Sequence, residues 1–225
     1  MTTIPVLNYA VTHTTLPDLL LTLPTILAEP KFHTLITLNP QIIMAAEKDP
    51  SISNLLHASI LIPDSVGILW AAKKKLTQIP GVELTDAILK SSLTCYLIGS
   101  QPTVLKKLLS QIQAPIFGSH HGYFNDEELT KIIQDIQTKK PDIILVALGV
   151  PKQEHVLIQL TKTLTYGIGI GVGGSFDVIS GTKKRAPTWV ISLHLEWLYR
   201  GLSEPKRLKT WGYLIQFIFK VLSAA

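Results

Sequence analysis

Ile143-Ile-Leu-Val-Ala-Leu-Gly-Val-Pro-Lys-Gln-Glu154 is the stretch that decides the fold. Its first six residues are apolar in succession, with no polar alternation, so they read as a strand buried on both faces rather than one with a wet side. Gly149 and Pro151 close that run, a helical segment follows over 153–163, and a second apolar run occupies Gly167 to Val172. Strand, helix and strand in that order are the unit of a parallel sheet. Towards the N-terminus the alternation continues, with strands over 35–38, 59–62 and 95–98 and helical spacing over about 41–48, 66–75, 103–112 and 127–139. The expectation is an α/β fold: a Rossmann-like, mostly parallel sheet with helices on both faces, plus a C-terminal helical appendage. Residues 1–188 form the core and 189–225 a basic amphipathic appendage of two helices, separated by the Ser203-Glu204-Pro205 break.

Charge divides the chain at nearly the same place. The 225 residues carry a formal +5, yet residues 1–182 hold 13 basic and 14 acidic side chains, while 183–225 hold 8 basic and 2 acidic. All three arginines, Arg185, Arg200 and Arg207, lie in the basic part. A near-neutral body with a basic tail argues against a protein that coats nucleic acid and for one localised anion site or an acidic membrane surface. Cys95 is the single cysteine, which excludes a disulfide framework and a multi-thiolate metal site. With 46% hydrophobic residues the chain is not disordered. No secretory signal is expected, and Trp211 to Ala225 is too short and too polar to span a bilayer. Within it Tyr213, Leu214, Phe217, Ile218, Val221 and Leu222 fall at helical spacing, as core or as an interfacial helix flanked by Lys206, Arg207, Lys209 and Lys220.

In parallel sheets ligands sit beyond the carboxyl ends of the strands, which directs attention to the segments that follow each apolar run. Asp64 follows Pro63 at one such end, as a helix cap or as a general base for a substrate hydroxyl. Thr37 and Asn39 stand at the end of the preceding strand, suited to orienting a sugar or phosphate. Lys152 and Gln153 open a helix, either as an anion site or as a solvated first turn in which Glu154 complements the dipole. Gly169-Ile-Gly-Val-Gly-Gly174 satisfies the dinucleotide pattern in letters, but it lies late in the chain and continues into Ser175-Phe-Asp177 and a Lys-rich loop. Its glycines serve close packing, or else Gly173, Gly174 and Ser175 offer backbone N–H groups to a ligand with Asp177 as acceptor. His120-His121 is no metal pair, because neighbours on an extended segment point opposite ways. Neither a metal nor another cofactor is expected.

Thr37-Leu-Asn-Pro-Gln-Ile-Ile-Met44, Pro63-Asp-Ser-Val-Gly67, Tyr96-Leu-Ile-Gly99, His120-His-Gly-Tyr-Phe124, Ala147-Leu-Gly-Val-Pro-Lys-Gln-Glu154, Gly171-Val-Gly-Gly-Ser-Phe-Asp-Val178, Lys184-Arg-Ala-Pro187 and Glu196-Trp-Leu-Tyr-Arg200, then Glu204-Pro205 with Arg207, run in that order over about residues 33–210. Together they resemble the WecG/TagA/CpsF glycosyltransferase family of bacterial cell-surface polymer synthesis. The resemblance implies a metal-independent, inverting transfer of an N-acetylhexosamine-type sugar, N-acetylmannosamine or its uronic acid, from a UDP donor to GlcNAc on undecaprenyl diphosphate. The products would be teichoic acid or another surface polysaccharide. By position Asp64 matches the proposed catalytic base, with Thr37 and Asn39 in the same pocket. Gln153, Gly173, Gly174 and Ser175 match donor-side positions, and Arg200 and Arg207 match arginines that close over the site and meet the diphosphate. Relatives often carry arginine where this chain has Gln78, aspartate where it has Glu83 and a further arginine where it has Thr210, which thins the positive charge near the donor. The enzyme would work in the cytoplasm, peripheral on the inner face of the membrane; its oligomeric state stays open. The alternative is a catalytically weak module that binds a nucleotide sugar or lipid phosphate.

Overall fold

The computed structural model describes residues 2–73, 75–187, 189–190, 196–203 and 208–224. Thr2–Val6 (β1) and Tyr9–His13 (β2) form an antiparallel hairpin. His33–Leu38 (β3), Ile60–Pro63 (β4), Cys95–Gly99 (β5), Ile116–His120 (β6), Ile143–Ala147 (β7) and Ile168–Gly171 (β8) pair in parallel with each other, and β2 joins them through β4. The order across the sheet is β1-β2-β4-β3-β8-β7-β5-β6. Only β1 runs against the rest, so the parallel expectation holds for the sheet that carries the site.

Successive residues of each buried strand enter opposite cores, as the twofold period of a strand requires. Tyr96, Ile98, Ile144 and Val146 point to one face, where they meet Pro40–Ala46 (α2), Pro50–Ala58 (α3), Asp126–Lys139 (α7) and Lys152–Thr163 (α8). Cys95, Leu97, Ile143 and Leu145 point to the other, covered by Leu16–Leu27 (α1), Gly81–Leu89 (α5), Pro102–Leu109 (α6) and Ser175–Ile179 (α9). Between β4 and α5 lies the short Val66–Ala71 (α4), and the C-terminal part contributes Glu196–Ser203 (α10) and Leu208–Ser223 (α11). The appendage helix α11 packs on α2, with Phe217 wholly buried in the first core.

Several elements went unanticipated. β1, β2, α1, α3, α5, β6 and α9 add to the alternating units read from the apolar runs, and α9 is a helix where the glycine pattern was read as continuing into a loop. Helix α1 forms despite Pro17 and Pro24: Thr15 caps it, Pro17 sits in the first turn where no N–H is needed, and Leu19, Leu23 and Ile26 are buried. Helix α4 is shorter than the 66–75 spacing implied. It ends at Ala71, and Lys73 takes a left-handed φ of 54° that turns the chain away from the helix axis.

Candidate active site

Four neighbouring strands, β4, β3, β8 and β7, end on one side of the sheet, and a cleft of about 680 Å³ opens over their carboxyl ends. The cleft therefore lies where parallel-sheet geometry places ligands. Its polar floor comes from the segments after those strands. Thr37 and Asn39 lie at the end of β3, Asp64 follows β4, Gly149 and Gln153 follow β7, and Gly173, Gly174 and Ser175 follow β8. All of these are residues that the sequence singled out by strand position, apart from Gly149, which it read as the end of the β7 strand.

Asp64 is held at both ends of its residue. Its backbone N–H donates to Leu38 O at 3.1 Å, and its carbonyl accepts from Gln78 Nε2 at 2.7 Å. Its carboxylate Oδ1 accepts from the Gly81 N–H, the first residue of α5, at 2.6 Å. Pro80 precedes that helix and offers no side-chain cap, so Asp64 supplies the cap from a distant segment and gains the positive end of the helix dipole. The capping and catalytic roles left open by the sequence are thus compatible: one oxygen caps α5 while the carboxylate lines the cleft. Gly81 stands in contact with the floor, and a side chain there would meet it at ordinary van der Waals distance. A Cβ there would sit 3.4 Å from Thr37 Cγ2 and 3.5 Å from both Thr37 Oγ1 and Asp64 Oδ1. Thr37 itself is fixed by donation from Oγ1 to Gly171 O at 2.8 Å, and Asn39 caps α2 by accepting from Ile42 N–H at 3.1 Å.

On the opposite wall, buried Gln153 donates from Nε2 to Glu154 Oε1 at 2.8 Å and accepts at Oε1 from the Gly173 N–H at 2.9 Å. Glu154 has 0% exposure, and its second carboxylate oxygen finds no partner among the described residues. Burial pushes its pKa up to about 7. A solvated first-turn glutamate is therefore ruled out. The glycine pattern resolves into two uses. A Cβ on Gly169 would meet Phe32 and Leu157 at 2.7 and 2.8 Å, and one on Gly171 would meet Gln153 Nε2 at 2.8 Å, so both are packing glycines. Gly173, with φ 52°, makes the turn at the cleft edge. The N–H groups of Gly173 and Ser175 are already engaged, the latter with Val172 O at 3.1 Å.

Lys152, Asp177 and Glu83 lie apart from the cleft lining, whereas Gln78 belongs to it. Lys152 Nζ donates to Gly122 O at 2.9 Å and stands 4.2 Å from the centre of the Phe124 ring. Asp177 accepts from Ser100 Oγ at 3.3 Å, with Lys183 Nζ at 4.0 Å. Glu83 pairs with Arg185 at 2.6 Å, and Gln78 lines the cleft beside Asp64. Arg200 lies on α10 with its side chain outside the described residues, as do the side chain of Thr210 and the whole of Arg207. Its neighbour Gly201 lines the cleft, pressed against the indole of Trp211. The aromatic wall of Trp70, Trp211 and Phe217 was not read from the sequence as part of a site, because only the tertiary fold brings α4, α10 and α11 together. Among the described residues no three of His, Cys, Asp or Glu converge to hold a metal ion.

The signature of the Glycosyl transferase WecG/TagA/CpsF family matches residues 4–225, which includes every strand of the sheet but the first two residues of β1. The chain belongs to this glycosyltransferase family. Over 200 residues this glycosyltransferase is 33% identical to the N-acetylglucosaminyldiphosphoundecaprenol N-acetyl-beta-D-mannosaminyltransferase of Bacillus subtilis (strain 168), covering 83% of this chain and 77% of that protein. The cleft of this glycosyltransferase brings together a positioned carboxylate, polar groups around it and apolar walls.

Proposed function

We propose that this glycosyltransferase moves an N-acetylhexosamine-type sugar, N-acetylmannosamine or its uronic acid, from a UDP donor to GlcNAc carried on undecaprenyl diphosphate, with inversion and without a metal. The observation that carries the reading is Asp64, lining the cleft floor with its Oδ1 pinned by the Gly81 N–H and with Thr37 alongside. The family membership and the printed activity of the B. subtilis relative support the substrate class.

In this mechanism the acceptor hydroxyl approaches Asp64, which takes its proton as the oxygen bonds to the anomeric carbon. The bond from that carbon to the UDP oxygen breaks on the opposite side, inverting the centre in one displacement. Thr37 and Asn39 orient the sugars, and Gln153 holds the Gly173 turn against the donor. UDP leaves with growing negative charge, which Arg200 and Arg207 meet; guanidinium forks suit a diphosphate better than the point charge of lysine. Ser175 lines the donor side in this reading, whereas Lys152 and Asp177, engaged outside the cleft lining, take no part in it. Residues 189–225 act as an appendage over the core. On α11, Tyr213, Phe217 and Val221 face the core, while Ile215, Ile218, Phe219 and Leu222 are exposed, with Phe219 at 69%. The expected stripe thus divides, and its outer part rests on the cytoplasmic face of the membrane where the lipid-linked acceptor resides. Among the described residues no helix is long and apolar enough to cross a membrane.

The test is release of UDP from UDP-N-acetylmannosamine in the presence of a polyprenyl-diphosphate-linked GlcNAc. Asp64→Asn keeps an oxygen for the Gly81 N–H and should fold normally while losing about 10²- to 10⁴-fold in kcat. Wild-type turnover in Asp64→Asn would remove the residue from its role. Tight UDP-sugar binding with no UDP release from the wild type would favour the binding-module alternative.

A further inference from the structure

The loop between α4 and α5 belongs to the α/β core, and nothing in the chemistry above uses it. It leaves the cleft at Trp70 and returns to it at Gln78, both lining residues. Between them the sequence reads Ala71-Ala-Lys-Lys-Lys-Leu-Thr77. Ala72 and Leu76 are buried and pin the loop to the core, whereas Lys73 and Lys75 are exposed. The backbone N–H of Lys73 donates to Trp70 O at 3.0 Å and that of Lys75 to Ala72 O at 3.2 Å, but neither side chain makes a hydrogen bond or ion pair among the described residues. No acidic residue occurs from Ser65 to Val82, so the charge is not neutralised locally. Trp70 is 42% exposed, although an indole of that size is ordinarily well buried. Lys73 is three positions from Trp70 and Lys75 three from Gln78, which keeps each lysine's Cα within about 11 Å of the Cα of a cleft residue.

An exposed tryptophan followed by unpaired lysines is the chemistry of a bilayer interface: the indole sits at headgroup level and the ammonium groups meet anionic phosphates. The position fits. Trp70 shares the cleft rim with Leu214 and Ile218 of α11, and Ile218 continues into the exposed face of Ile215, Phe219 and Leu222. Two apolar elements from distant parts of the chain therefore flank one opening, and the loop on the core side carries the cations.

We propose that Trp70, Lys73 and Lys75 form a second membrane contact, made by the core itself, which binds an anionic phospholipid surface and presses the mouth of the cleft against it. This rests on the reading of the cleft as the site of transfer to a lipid-linked acceptor. α11 supplies apolar insertion and the core loop supplies charge selectivity. Two contacts flanking the opening fix its tilt, which one amphipathic helix alone leaves free.

The experiment measures sedimentation of the full chain with phosphatidylcholine vesicles, with and without phosphatidylglycerol, alongside UDP release with a water-soluble short-chain acceptor. Lys73→Gln/Lys75→Gln should lose roughly fivefold in affinity per lysine, about 25-fold for the pair, on phosphatidylglycerol vesicles only. Its turnover of the soluble acceptor and its melting temperature should match the wild type. Phe219→Ser/Leu222→Ser should weaken binding to both vesicle types. Wild-type affinity in the lysine variant, with loss confined to the α11 variant, would overturn the core contact and leave α11 as the anchor. No vesicle binding by the wild type would overturn both contacts, while UDP release with the soluble acceptor would decide the transferase reading separately.

Discussion

Glu154 is the least legible residue of the site. A glutamate in the first turn of a helix ordinarily faces water and complements the dipole, yet here it is fully buried and holds the Gln153 amide so that Oε1 faces the Gly173 N–H. Its pKa rises from an ordinary 4.5 to about 7 because burial disfavours the charged form. The folded state therefore holds the proton more tightly than the unfolded chain. The group's contribution to stability is fully present below pH 4.5 and is lost as pH rises through about 7. Glu154→Gln keeps the oxygen that accepts from Gln153 and cannot ionise. It should match the wild type near pH 4.5 and exceed it at pH 8 by up to about 3 kcal/mol, read from urea unfolding at the two pH values. The positions of Asp64, Thr37 and Asn39 were legible because each stands at the carboxyl end of an apolar run. The burial of Glu154 was not, since it depends on what α8 packs against.

Among the elements, α11 shows how a helix serves two surfaces. Its residues at 213, 217 and 221 recur every four positions and enter the core, and those at 215, 218, 219 and 222 line the opposite side. Lys220 pairs with Glu47 at 2.8 Å, and Lys48 lies 5.0 Å from the centre of the Tyr213 ring, so α2 holds the helix by charge as well as by burial. Phe217→Ala removes a wholly buried ring and should cost about 3–5 kcal/mol. The sheet does not depend on that contact, so the loss should appear as faster amide hydrogen exchange over 208–223 ahead of global unfolding. Equal protection of α11 in the variant would show that the ring does not hold the helix. Glycine positions teach a related lesson. Gly67 is required because a Cβ would come within 2.9 Å of Pro40 Cγ, a contact between two segments that no local pattern announces.

For the molecule as a whole, the last strand among the described residues ends at Gly171, and the described helices after it, α9, α10 and α11, cover or line what the strands present. A chain ending at Ser203 keeps every strand, but it loses α11 and with it Leu214, Phe217 and Ile218 from the cleft. It should still unfold cooperatively at a lower melting temperature, while UDP release with a lipid-linked acceptor disappears and vesicle binding weakens. Undiminished activity in that chain would mean that α11 contributes nothing to transfer. The alternation of wholly apolar runs with helical spacing was enough to establish the parallel sheet and the end of it where a site must lie, because burial on both faces leaves a local imprint in composition. Strand order, the capping of α5 by Asp64, the Glu154–Gln153–Gly173 chain and the aromatic wall around the cleft come from contacts between residues far apart in sequence. Tertiary packing alone decides those, since local periodicity records which side of an element is buried and not which neighbour buries it.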